Sequence, residues 1–145
     1  FRYSKCSKID RKASFEYSEN VSFTIFGLTK QRTLDRGWGY HSKIIIAEKG
    51  ERFATIIFEF TNNSSENQII DFENIFLQDE KGELHNIDLV VMAMKLTTNP
   101  QNYQQKLKPH KKRKIAVQFR PAFNKDEIIN TLIVNGRTIK LVYKI

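Results

Sequence analysis

Apolar and polar residues alternate with period two along most of the chain and helical spacing is scarce, which predicts extended structure. The clearest case is TLIVNGRTIKLVYKI, where Asn135-Gly136 stands between two alternating runs. Asn-Gly tolerates positive φ at both central positions of a two-residue turn, so a tight hairpin is expected. Closing it sets Val134 opposite Arg137 and Leu132 opposite Ile139, and further along Ile128 opposite Tyr143. One face then carries Ile128, Leu132, Val134, Ile139, Leu141 and Tyr143, interrupted by Asn130, as a candidate core face.

Upstream, ERFATIIFEFTNN places Ala54, Ile56, Phe58 and Phe60 on one side of a strand and a mixed set, Phe53, Thr55, Ile57 and Glu59, on the other. It ends in Asn62-Asn63-Ser64-Ser65, whose short polar side chains suit a turn. IFLQDEKGELHNI reads as a second hairpin around Asp79 to Gly82, with Gly82 at the left-handed position. Val21, Phe23 and Ile25 alternate with Ser22 and Thr24, and Lys43 to Ala47 is a short β-branched run. Val90 to Leu96 is compatible with helix or strand, and Asp126 to Ile129 with one turn. Short strands punctuated by turns predict an all-β antiparallel β-sandwich of about seven to nine strands. Its domain is expected to span residues 21–145, with residues 1–20 as an N-terminal tail or extension.

The strand ending in Thr61-Asn62-Asn63-Ser64, followed by Phe76-Leu77 and the Asp79-Glu80-Lys81-Gly82 loop, resembles a telokin-like bacterial domain of unknown function. That immunoglobulin-like module is common on exported proteins and lipoproteins. Pro109-His110 and Ile115-Ala116-Val117-Gln118-Phe119-Arg120-Pro121 match its next turn and strand, with His110 where the family favours Gly. The resemblance implies an exported binding or structural domain and brings no catalytic residues.

At 145 residues, with 40% hydrophobic and 28% charged positions, eleven Phe and five Tyr, the chain can bury a core without staples. No apolar run approaches the roughly 18 residues of a membrane-spanning helix. The longest, Ile87 to Met94, is broken by Asp88. The sequence opens on Phe1 rather than Met, so the native N-terminus, with any signal peptide or anchor, is expected upstream. The single Cys6 cannot form an internal disulfide and reads as an inert thiol.

The net charge of +8 is unevenly distributed: Leu89 to Lys125 holds nine Lys or Arg and no acid, and the first twelve residues sum to +4. Lys106, Lys108, Lys111, Lys112, Arg113 and Lys114 gather around Pro109. As the entrance to the strand Ile115–Phe119, they are expected to be solvated charges that guard a sheet edge. The rival reading is a patch that binds an anionic polymer or membrane surface. Nucleic acid is the weaker form of that rival, because Tyr103 is the only nearby aromatic and single-strand binders interleave stacking rings with their charges.

Trp38 and Tyr40 lie in the glycine-bracketed stretch Arg36-Gly37-Trp38-Gly39-Tyr40-His41, a loop that either tucks over the end of the sandwich or meets a partner. His85, Met92 and Met94 are donor types for Cu(I), but Met is also a routine core filler and no ligand set completes the site. No Ser or Cys nucleophile motif, phosphate-binding Gly loop, HExxH or CxxC pair is present. The expectation is a non-enzymatic domain without cofactor or metal. It would contact another protein at the bacterial envelope or outside the cell, with anionic-polymer binding through Lys106–Lys114 as the alternative.

Overall fold

Each alternating stretch lies extended in the computed structural model, which describes residues 8–35, 44–92, 95–97 and 103–144. In chain order the strands are β1 (Lys8–Ile9), β2 (Ser14–Ser18), β3 (Val21–Gln31), β4 (Thr33–Asp35), β5 (Ile44–Ile46), β6 (Glu51–Asn62), β7 (Gln68–Asp71) and β8 (Ile75–Gln78). Then follow β9 (Leu84–Met92), β10 (Lys95–Thr97), β11 (Gln104–Leu107), β12 (Lys112–Asn124), β13 (Thr131–Val134), β14 (Arg137–Lys140) and β15 (Tyr143–Lys144). A 3₁₀ turn, Phe72–Asn74, links β7 to β8. The main antiparallel sheet runs β14-β13-β8-β9-β12-β6-β3-β2, with β10 added on β9. The segment between Val90 and Leu96 that periodicity left open is thus extended where it is described.

Alternation sets the core. Val21, Phe23 and Ile25 of β3, Ala54, Ile56, Phe58 and Phe60 of β6, and Ile115, Val117 and Phe119 of β12 are all buried. They share one cluster with Ile75 and Leu77 of β8 and with Leu132 and Val134 of β13, so the sheet folds over onto itself as a sandwich. Aromatic rings fill the space between layers. Phe23 meets Phe58 edge-on at 5.5 Å between centroids, and Phe60 takes Tyr17 and Phe72 edge-on at 5.8 Å each. The mixed outer face of β6 has its own explanation. Phe53 packs with Leu34 and Ala47 in a second, smaller cluster that also takes in Ile45 of β5.

Side chains bring the two ends of the sheet together. Asn135 Nδ2 donates to the Tyr17 carbonyl at 2.9 Å, and Arg137 Nη2 donates to the carbonyls of Glu16 and Tyr17 at 2.8 and 2.9 Å. Tyr17 is the extra residue of a bulge between the Glu16–Ser22 and Ser18–Val21 pairs, and its buried hydroxyl accepts from the Asp71 amide at 2.7 Å.

Both predicted hairpins hold. Leu132 lies opposite Ile139 and Val134 opposite Arg137, with φ of +51° at Asn135 and +80° at Gly136. Gly82, at φ +88°, turns β8 into β9. Two expectations need correction. The fold begins before Val21: from Lys8 onward the stretch set aside as a tail supplies β1, paired with β15, and β2 of the main sheet, and Tyr17 is part of the core. Ile128 does not face Tyr143, because β14 ends at Lys140, Tyr143 pairs with Ile9 of β1, and Ile128 is exposed. From Ala116 onward β12 is an interior strand with β6 on one side and β9 on the other, while among the described residues its basic entrance, Lys112–Lys114, pairs with β6 alone. A strand's own alternation says which face is inside but not how many neighbours it has.

Candidate functional site

The basic segment is compact in sequence and divided in space. Lys106 lies in β11, Lys108 and Lys111 flank the turn at Pro109-His110, and all three are exposed. Lys111 N donates to Lys108 O at 3.2 Å, and His110 takes φ +57°, filling a left-handed position that favours Gly. Asn62, fully buried, fixes this turn from the other side: its Nδ2 donates to the carbonyls of Glu66, Leu107 and Lys108 at 2.7 to 3.2 Å. Within β12, alternation sends Arg113 to the face opposite Lys112 and Lys114. The Arg113 guanidinium reaches back to the Lys106 carbonyl at 3.5 Å. The six cations therefore do not form one surface.

Lys114 instead meets a second basic region. Between the Ile25–Phe58 and Gly27–Ile57 pairs, Phe26 is the extra residue of a bulge in β3, which swings its ring onto the outside of the sheet. Lys114 Nζ lies 3.8 Å from the centroid of that ring, and the Arg11 guanidinium carbon lies 4.1 Å from it. Arg11 is held there by a 2.7 Å bond from Nε to the Phe26 carbonyl. The neighbouring backbone is anchored by Asp10, whose amide donates to Val142 O at 2.8 Å while its carboxylate accepts from Lys12 N at 2.9 Å.

Beside Phe26 runs a groove of about 460 Å³ between β3 and the β1–β15 ribbon, lined among others by Lys8, Arg11, Leu28 and Lys144. Lys8 and Lys144 are direct partners in the ribbon. The groove's lining has no carboxylate, and among the described residues none of Lys8, Arg11, Lys114 and Lys144 forms an ion pair. Sequence reasoning missed Phe26, Lys8, Arg11 and Lys144 as a group. The +4 charge of the first twelve residues was the one available signal, and only the fold places it beside Lys114.

The opposite charge collects in a cleft of about 480 Å³, where Glu51, Asp79, Glu80, Glu83, Asp126 and Glu127 surround Lys81. Two residues of that lining, Asp79 and Phe123, contact the buried His85, whose ring stacks on Phe123 at 3.7 Å between centroids. Nδ1 contacts the Pro121 carbonyl, and Nε2 lies 2.9 Å from Asp79 Oδ2. Both ring nitrogens thus face oxygen atoms of the protein itself. Burial works to raise the Asp79 pKa, but bonds from His85 and from the amides of Glu83 and Lys81 outweigh it and hold the carboxylate below its ordinary value.

His85 is thus engaged by the protein itself. Met94 lies outside the described residues, and no group of three or more His, Cys, Asp or Glu side chains suited to a metal ion occurs among those described. Trp38, Tyr40 and Cys6 also lie outside them. No helix among the described residues is long and apolar enough to cross a membrane.

Comparison with solved structures agrees with the fold. The chain is similar to an uncharacterized β-sandwich protein from Clostridium difficile 630, with a TM-score of 0.59 and 10% identity over 99% of this chain and 97% of that one. It is equally similar to a conserved hypothetical protein from Bacillus anthracis, with a TM-score of 0.59 and 14% identity over 97% of this chain and 99% of that one. No protein-family model and no curated protein matches the sequence. At these identities the likeness establishes a β-sandwich architecture and nothing finer.

Proposed function

We propose that this chain is a non-enzymatic binding domain of the telokin-like, immunoglobulin-like kind, exported to the bacterial envelope or beyond, and that it acts by contacting another protein. The observation that carries the reading is on the β4–β5 hairpin. Ile44 and Ile46 share one face of β5 and are 64% and 65% exposed, while Ile45 between them turns inward to the second cluster. The pair puts two branched apolar side chains on the face of β5 turned away from that cluster, which suits an interface centre. The interior supports the same reading. Its buried polar side chains serve the fold: Asn62 and His85 bind the chain's own carbonyls, and Thr131 bonds Asn130 and Lys140.

Proximity labelling in bacterial cells expressing the chain tests this proposal. An Ile44→Ser/Ile46→Ser variant should lose the proteins enriched beside the unaltered chain. Identical neighbour sets for both would overturn it. A second reading, binding of an anionic polymer, is favoured by the cations of the groove beside Phe26, whose lining holds no carboxylate, with Lys114 at its side opposite Glu59 of β6.

A further inference from the structure

We propose that the groove between β3 and the β1–β15 ribbon binds a linear phosphate chain, polyphosphate or phosphodiester, by its charges alone; this rests on the second reading above. Three observations converge. First, Lys8 and Lys144 are direct cross-strand partners. Like charges placed opposite each other destabilise a strand pair, and among the described residues no carboxylate relieves this one. An anion between them would. Second, Arg11 is oriented before any ligand arrives. Its Nε is bonded to the Phe26 carbonyl and its plane lies over the Phe26 ring, which leaves the terminal nitrogens as a fork for an oxyanion. Third, Lys114 covers Phe26 as well, so the ring holds two cations in place and is not an open platform for a base.

Charge spacing favours phosphate over an acidic peptide. Opposed strand residues have Cβ atoms about 5 Å apart. Every unit of a linear phosphate chain is charged, so consecutive charges can face both lysines. An extended peptide presents same-face carboxylates only about every 6.8 Å, twice the strand rise. The contiguous segment Lys106 to Lys111 does not line this groove.

Calorimetric titration with long-chain inorganic polyphosphate tests the proposal on three proteins: the unaltered chain, Lys8→Ser/Arg11→Ser/Lys144→Ser, and Lys106→Ser/Lys108→Ser/Lys111→Ser. Both triple variants lose three positive charges. The groove variant should bind at least tenfold more weakly and the segment variant less than threefold. For the unaltered chain, log affinity should fall with log salt at a slope of about −3, from about 0.7 counterions per contact over four cations. Equal losses in the two variants would overturn the site while leaving anionic-polymer binding intact. A polyglutamate binding as tightly as polyphosphate would overturn the phosphate assignment. Tenfold tighter binding of single-stranded DNA would overturn recognition by charge alone. No binding of any probe would remove the second reading as well and leave the protein-contact reading to its labelling test. Circular dichroism checks folding, and the single variant Lys144→Ser repeats the titration if the triple variant is unfolded.

Discussion

The acidic cleft and the basic groove are both charged, solvent-facing hollows, yet they are built on opposite plans. In the cleft, the central charges answer one another or the backbone. Asp79 accepts from His85 and from two amides, His85 also meets the Pro121 carbonyl, and Glu127 accepts from the Glu80 amide at 2.8 Å. In the groove, Lys8 and Lys144 are opposed and, among the described residues, meet no carboxylate, while Arg11 and Lys114 lean on a ring. Charges that are mutually satisfied hold a fold together. Charges left to repel one another lower stability slightly and keep an attraction for something outside the molecule. The two hollows should therefore respond to mutation in opposite directions.

The largest effect is expected at His85. Replacing it with Leu removes the bond to the Pro121 carbonyl and strands a partly buried Asp79, and should lower unfolding free energy by about 3 kcal/mol in a urea titration. Asp79→Asn keeps the shape and loses the charge. Because that carboxylate still reaches solvent, the loss should be nearer 1 kcal/mol. The same residue sets an acid limb. With the folded-state pKa below the unfolded one, the folded chain holds the proton less readily, so this contribution is complete above about pH 5 and is lost as pH falls through the folded value. Melting temperature followed from neutral pH downward should show that limb in the unaltered chain and a shallower one in Asp79→Asn. The smallest effect has the opposite sign. Lys144→Thr relieves the pairing with Lys8 and should stabilise the fold by about 0.5 kcal/mol.

What could be read in the sequence follows the range of the interactions involved. Asn135-Gly136 fixed its hairpin register because the turn chemistry is local, and the buried faces of β3, β6 and β12 followed from alternation within each strand. Tyr143 was misplaced because its partner, Ile9, lies at the far end of the chain. Which residues of β12 gain a second neighbour is likewise decided only in the folded sheet: β9 lies beside Ala116–Arg120 and stops short of Lys112–Lys114. The candidate site was legible in only one residue, Lys114. Its other members are joined to it by the bulge at Phe26 and the β1–β15 ribbon, and neither feature leaves a periodic trace in the sequence.

The most direct measurement is the melting temperature of the unaltered chain and of Lys144→Thr, each with and without long-chain polyphosphate. The unaltered chain should melt lower without ligand and rise by several degrees with it, as binding to the folded state requires. Lys144→Thr should start higher and rise by less than half as much. Equal rises in the two proteins, or a Lys144→Thr that melts lower than the unaltered chain, would contradict the claim that these opposed cations are held apart from any internal partner to receive an anion.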